Sequence, residues 1–138
     1  MQQNNNDFNP VLIDMIYSAI SDEKGNEEHL TTLIGMALNE RAKEILGEIR
    51  MDTRKHYNFL EEIYLSITGN SSDVTPNKKR AGKNLIREYE KSVFDALKEI
   101  EFYRKLMFMA NENKIRDTLL EIITDKIAHA IKFNFILK

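Results

Sequence analysis

Glu48-Ile49-Arg50-Met51-Asp52-Thr53-Arg54-Lys55-His56 and Glu121-Ile122-Ile123-Thr124-Asp125-Lys126-Ile127-Ala128-His129 carry one pattern written twice. Both read Glu-Ile-x-x-Asp-x-x-x-His, and they stand 73 residues apart. Sliding the chain against itself by that offset aligns its halves without a gap. The matches run from Leu12/Leu85 and Ile13/Ile86 through Asp22/Asp95, Leu33/Leu106 and Leu46/Leu119 to Ile63/Ile136. Thirteen identities fall in 52 aligned positions, where ordinary composition gives about three or four by chance. Shared amphipathic patterning accounts for part of that excess, but not for the repeated Asp and His. The chain reads as a duplicated helical hairpin with pseudo-twofold symmetry.

Four stretches carry apolar residues at helical spacing. Asn9-Pro10 opens the first, with Asn as N-cap and Pro at the first helical position, ahead of Leu12, Ile16, Ala19, Leu30 and Leu33. Asn39 caps a second that carries Leu46, Ile49, Leu60 and Ile63. Gly69 and the polar run Asn70-Ser71-Ser72-Asp73 end it, because Gly suits the left-handed position after a helix. The third is expected from about Ala81 to Ala110, on Ile86, Tyr89, Val93, Ile100, Tyr103 and Leu106. Asn111 is expected to cap the fourth, on Ile115, Leu119, Ile122 and Phe133. The organisation is a polar tail over 1–8 and one domain over 9–138: hairpin 9–68, crossover 69–80, hairpin 81–138. The outer connections are so short that each helix pair is expected to run antiparallel. The middle one is long enough to traverse the bundle.

Composition agrees with that all-α reading. The 138 residues include five Gly and two Pro, far below the usage of turn-rich β-sandwiches and barrels. Zero cysteines exclude disulfides, thiolate metal sites and a cysteine nucleophile, and they fit a reducing compartment. A net charge of −2 supplies no general attraction to nucleic acid or anionic lipid. The start lacks the basic region and apolar run of a signal peptide, and no apolar stretch approaches membrane-spanning length. The expected setting is cytoplasmic, with neither membrane nor nucleic acid as partner. Lys78-Lys79-Arg80, Lys83, Arg87 and Lys91 form a basic run that reads as a solvated face.

At mid-height the apolar stripe breaks in every helix. Glu23 lies between Ala19 and Leu30, Thr53 and His56 between Ile49 and Leu60, Lys126 and His129 between Ile122 and Phe133, and Ala96 between Val93 and Ile100. The offset of 73 pairs Glu23 with Ala96, Thr53 with Lys126, and His56 with His129. All four helices therefore bring their exceptions to one layer.

Together with Ala19-Ile20-Ser21-Asp22-Glu23, Ile49 to His56, Glu101-Phe102-Tyr103-Arg104 and Thr124 to Ala130, this layer resembles the rubrerythrin-like branch of the ferritin-like superfamily. The resemblance runs from about Val11 to Leu137. It implies a ferritin-like four-helix bundle of two antiparallel hairpins joined by a long crossover between the second and third helices. It also implies six di-iron ligand positions, on Glu23, Thr53, His56, Ala96, Lys126 and His129. Three of the four carboxylates that the family uses are Thr53, Ala96 and Lys126 in this chain. At an effective dielectric of 20, a unit charge pair at 4 Å is worth about 4 kcal/mol. Losing three carboxylates and gaining a cation therefore removes the charge that two divalent ions need. The resemblance implies neither oxidase nor peroxidase activity here, and no cofactor.

Two readings of the remnant follow. In one, a Glu23–Lys126 ion pair replaces the metals, with hydrogen bonds from His56, His129 and Thr53. In the other, Glu23, His56 and His129 hold a single iron or zinc ion, with Glu99 as a second carboxylate. Asp22, Asp52, Asp95 and Asp125 each precede a ligand position by one residue, and read either as groups behind the histidines or as ordinary surface pairs. His29 has no counterpart in the other half and reads as a surface residue. Tyr57, Phe102, Phe108 and Phe135 lie off the central stripe and suggest a homodimer. Iron handling or oxidative stress enters only through the family resemblance.

Overall fold

The computed structural model describes residues 10–138, and all the regular structure among them is helical, with four helices and no strand. They are α1 (Pro10–Met36), α2 (Glu40–Thr68), α3 (Leu85–Met109) and α4 (Asn113–Ile136). The Asn9 cap and the 1–8 tail lie outside the described residues. Among the described residues no helix is long and apolar enough to cross a membrane.

Local chemistry sets the boundaries. The Asn39 side chain accepts from the Ala42 N–H at 2.8 Å, and Gly69 (φ 77°) returns its N–H to the Leu65 carbonyl. A non-glycine residue at such a φ carries the Cβ strain of the left-handed region. α3 starts at Leu85, four residues later than the periodicity predicts. Asn84 caps it by accepting from the Arg87 N–H at 3.1 Å. Gly82 is held outside the helix by its N–H bond to Glu88 at 3.0 Å. α4 begins one step beyond the predicted cap, with Glu112 rather than Asn111 at the N-cap. The chain first buries Ala110 while its N–H bonds the Leu106 carbonyl.

α1 packs on α2 and α3 on α4, with α2 touching α4 and α1 touching α3. The apolar interior falls into two clusters. One holds Leu12, Ile16, Leu60, Leu106, Leu119 and Ile122 among others. The other holds Leu30, Leu33, Leu46, Ile49, Tyr89 and Phe133. Burying each such side chain is worth roughly 1.5–3 kcal/mol, so both clusters hold the bundle shut. Between them lie the polar positions of the sequence pattern. Tyr57 and Phe102 are partly buried and pack against the first cluster. Phe108 stays exposed, and Phe135 lies under the Arg41 guanidinium.

The segment from Gly69 to Asn84 has no regular structure but is firmly seated. Ser21 Oγ donates to the Thr75 carbonyl at 2.6 Å, the Asn77 N–H to the Ser21 carbonyl at 3.0 Å, and Asn77 Nδ2 to Asp22 at 2.7 Å. Beyond them Lys79 reaches Asp95 and Glu99 on α3. Gly25 makes that seat possible, since a Cβ there would stand 1.8 Å from the Asn77 carbonyl oxygen.

Candidate functional site

The middle layer is built from one side chain after another that the apolar pattern skips. Glu23 comes from α1 and is 1% exposed; Lys126 comes from α4 and is 2% exposed. Lys126 Nζ donates to Glu23 Oε1 at 3.0 Å and to Glu99 Oε1 at 3.1 Å. Asn26 Nδ2 donates to Glu23 Oε1 at 3.2 Å and to Glu99 Oε2 at 2.8 Å. The Tyr103 hydroxyl donates to Glu23 Oε2. Each of the four oxygens of these two carboxylates thus already accepts a proton donor from the chain itself.

The histidines form a reciprocal pair of contacts. His56 Nε2 bonds Asp125 at 2.8 Å and His129 Nε2 bonds Asp52 at 2.9 Å. These are the same two residues of the repeat, exchanged between α2 and α4. The rings lie 5.9 Å apart between centroids. Lys55 sits behind them, on Asp125 at 2.9 Å and Glu121 at 3.2 Å.

Electrostatics follow from burial and pairing. Burial by itself would raise the Glu23 pKa, but the Lys126 charge, His56 and the Tyr103 and Lys126 hydrogen bonds together hold it below the ordinary carboxylate value. Burial would lower Lys126, yet the Glu23 and Glu99 charges outweigh it and keep the ammonium charged. His129 is pushed down to about 4, first by burial and then by the Lys126 charge. His56 is lowered too, by burial first, against an upward pull from Glu23. Both imidazoles are neutral near pH 7. With each Nε2–H given to an aspartate, Nδ1 carries the lone pair, and His56 Nδ1 is buried with no partner.

No protein-family model, curated protein or solved structure matches the chain. The case for a site therefore rests on these contacts. The sequence places Glu23, Lys126, His56 and His129 in one layer, and the structure brings them there. Asp52 and Asp125 stand behind the histidines as the spacing suggests. Three expectations need correction. The histidines bond the aspartates rather than the Glu23–Lys126 pair. Thr53 turns its hydroxyl to the Ile49 carbonyl of its own helix at 2.8 Å, the usual local competitor for a buried threonine. His29 is buried and meets Glu88 at 3.1 Å, on the carboxylate that the Gly82 N–H also bonds.

Asn26 and Tyr103 are members that the pattern does not mark. Asn26 lies one turn after Glu23 and occupies the position equivalent to Glu99, so the repeat itself held the signal. Ala96 leaves a hollow of about 30 Å³ beside Lys126, His129 and Thr53, room for one or two water molecules. Among the described residues no three carboxylate or imidazole groups converge in a metal-binding arrangement. The donor set does not fit a dinuclear iron centre. An ammonium stands between the two carboxylates, and each of their oxygens already accepts from a protein donor, so a dication would meet a competing cation at both.

Proposed function

We propose that the chain is a ferritin-like, rubrerythrin-like bundle in which a polar network has replaced the metal layer, and that it serves in binding or assembly rather than in oxidation chemistry. One observation carries the reading: Lys126 bridges Glu23 and Glu99, whose four oxygens all accept from Lys126, Asn26 or Tyr103. A cation entering such a network would have to displace the Lys126 ammonium or be repelled by it, since that ammonium already pairs with both carboxylates.

The finer architecture has its own support. Tyr17 meets Tyr64, Glu27 meets Arg54 and Thr31 meets Arg50, so numbers fall on α2 as they rise on α1. That supports an antiparallel first hairpin. The 69–84 segment, bonded in turn to α1 and α3, supports a crossover. A cytoplasmic setting is in keeping with the absence of cysteine, and a link to iron or oxidative stress follows from the resemblance alone.

A second reading is favoured by one atom. The partnerless Nδ1 of His56 is a neutral imidazole lone pair of the kind that binds zinc or iron. In that reading Glu23, His56 and His129 hold one ion, which requires them to close up from their present positions, where no three such groups converge. Metal analysis of protein purified without chelators separates the two. The network reading expects well under one equivalent per chain. One tightly held equivalent that disappears in the His56→Ala/His129→Ala variant overturns it in favour of the mononuclear site.

A further inference from the structure

The internal repeat provides a comparison for every surface position, and on one face the halves disagree. α3 exposes Ile86, Phe94, Leu97 and Phe108, and α4 exposes Leu120, Ile127 and Ile131, all between 44% and 70%. At 100° per residue these side chains project towards the outer groove between α3 and α4. Lys126, which touches Glu99, sets the register, so that Leu97 and Ile127 lie at one level. Displacing Phe94, Leu97, Phe108, Leu120, Ile127 and Ile131 by 73 gives Ser21, Lys24, Gly35, Gly47, Arg54 and Asn58 on α1 and α2. That half closes its groove with polar contacts, Arg54 to Glu27 and Arg50 to Thr31. Ile86 keeps an apolar counterpart in Ile13, and the first half also exposes Tyr17, Met51 and Leu65, but the longer apolar strip lies on the second half.

The strip is also arranged symmetrically about Leu97. Glu90 lies seven residues before it and Arg104 seven after; Ile86 lies eleven before and Phe108 eleven after. Seven residues are about 10.5 Å of helix and return to nearly the same face. Glu90 and Arg104 are exposed, and neither pairs with a described residue. Two copies of α3 laid antiparallel across a twofold axis at Leu97 would bring Glu90 against Arg104 and Ile86 against Phe108, each contact occurring twice. Taking roughly 200 Å² for a fully exposed large apolar residue, the seven side chains leave on the order of 800 Å² uncovered, the area that each partner buries in a standard interface.

We propose that a second copy of this chain covers the α3–α4 face, in an isologous antiparallel dimer centred on Leu97 and locked by two Glu90–Arg104 pairs. The proposal is independent of how the middle layer is read. An isologous contact closes on itself, so it yields a dimer and not a fibre.

Sedimentation velocity on the full chain tests it. The unmodified chain is expected to sediment as a dimer at micromolar concentration. Glu90→Arg and Arg104→Glu, each placing like charges opposite one another twice, are expected to raise the dimer dissociation constant by at least about tenfold. An equimolar mixture of the two single variants restores opposite charges across the axis and is expected to recover the dimer, as is the double variant Glu90→Arg/Arg104→Glu. Both substitutions are on the surface, and circular dichroism of each variant is expected to match that of the unmodified chain, which checks that it is folded. A monomeric unmodified chain overturns the proposal, including one that instead binds lipid vesicles through this face. A dimer that neither reversal weakens overturns it as well, since the contact then lies elsewhere.

Discussion

Replacing Lys126 by methionine would test the middle layer most directly. Methionine keeps much of the side-chain volume and removes the charge, leaving Glu23 buried beside Glu99 with no cation between them. Deleting one partner of a buried pair costs about 3–5 kcal/mol. Glu23 retains Asn26 and Tyr103 as donors, each hydrogen bond to a charged group being worth about 1.5–3 kcal/mol, which places the loss near the lower end, about 3 kcal/mol. The pH dependence has a definite sign. In the unmodified chain the Glu23 pKa is lowered, so its contribution is present above the unfolded value and is lost as pH falls through the folded one. Without Lys126, burial becomes dominant and raises Glu23. The deficit of Lys126→Met against the unmodified chain is then greatest near pH 7 and narrows in acid, as Glu23 takes up a proton. Urea unfolding over a pH series reads both effects, with an unchanged m-value as the control for two-state comparison. The double variant Glu23→Gln/Lys126→Met, which strands no charge at Glu23, is expected to regain most of the loss, a coupling of about 2 kcal/mol. A single variant within about 0.5 kcal/mol of the unmodified chain at pH 7 would refute the reasoning.

Two further outcomes concern other parts of the fold. Gly25→Ala sets two effects against each other: helix propensity favours alanine by about 1 kcal/mol, whereas the new Cβ meets the Asn77 carbonyl oxygen at 1.8 Å. Steric displacement is expected to prevail, lowering stability by about 1–3 kcal/mol and speeding amide exchange at Asn77; a net gain in stability would show that the 69–84 segment is not seated against α1. For His129, an NMR titration is expected to find the imidazole neutral down to about pH 4. Because that value lies below the unfolded one, stability is complete above about pH 6.5 and declines by roughly 3 kcal/mol as pH falls towards 4. A midpoint near 6.5 would contradict the burial of this ring.

Much of the helical architecture was legible because it depends on short-range spacing. Leu46, Ile49, Leu60 and Ile63 recur at intervals that only a helix places on one face, and Gly69 after a polar-ended run marks a terminus. The repeat went further and marked His56 and His129 with Asp52 and Asp125, since two helices that share a pattern also share a depth. What stayed hidden depended on the irregular segment, which has no periodicity to read. The contact of His29 with Glu88 spans 59 residues and shares its carboxylate with the Gly82 N–H of the irregular segment. Gly25 is equally silent in sequence, where a glycine inside a helix looks like a defect rather than a place for another backbone. The later start of α3 has the same origin, in side-chain bonds to Gly82 and Asn84 that apolar spacing does not register.

The crossed His56–Asp125 and His129–Asp52 bonds also act as a gauge of alignment. Apolar side chains tolerate sliding, because one leucine packs much like the next, and a bundle of regular stripes has several near-equivalent settings one turn apart. A slip of α2 along α4 by one turn, about 5.4 Å, would set His56 against His129 and Asp125 against Leu60. A slip the other way would set Asp52 against Asp125, although His56 would then face Glu121 and His129 would face Glu48. The first displacement replaces complementary contacts by a like pair and mismatches, and the second is opposed by the two aspartates brought together. The crossed pairs therefore favour a single alignment from a family of similar ones, work that the oily parts of the interior cannot do for themselves.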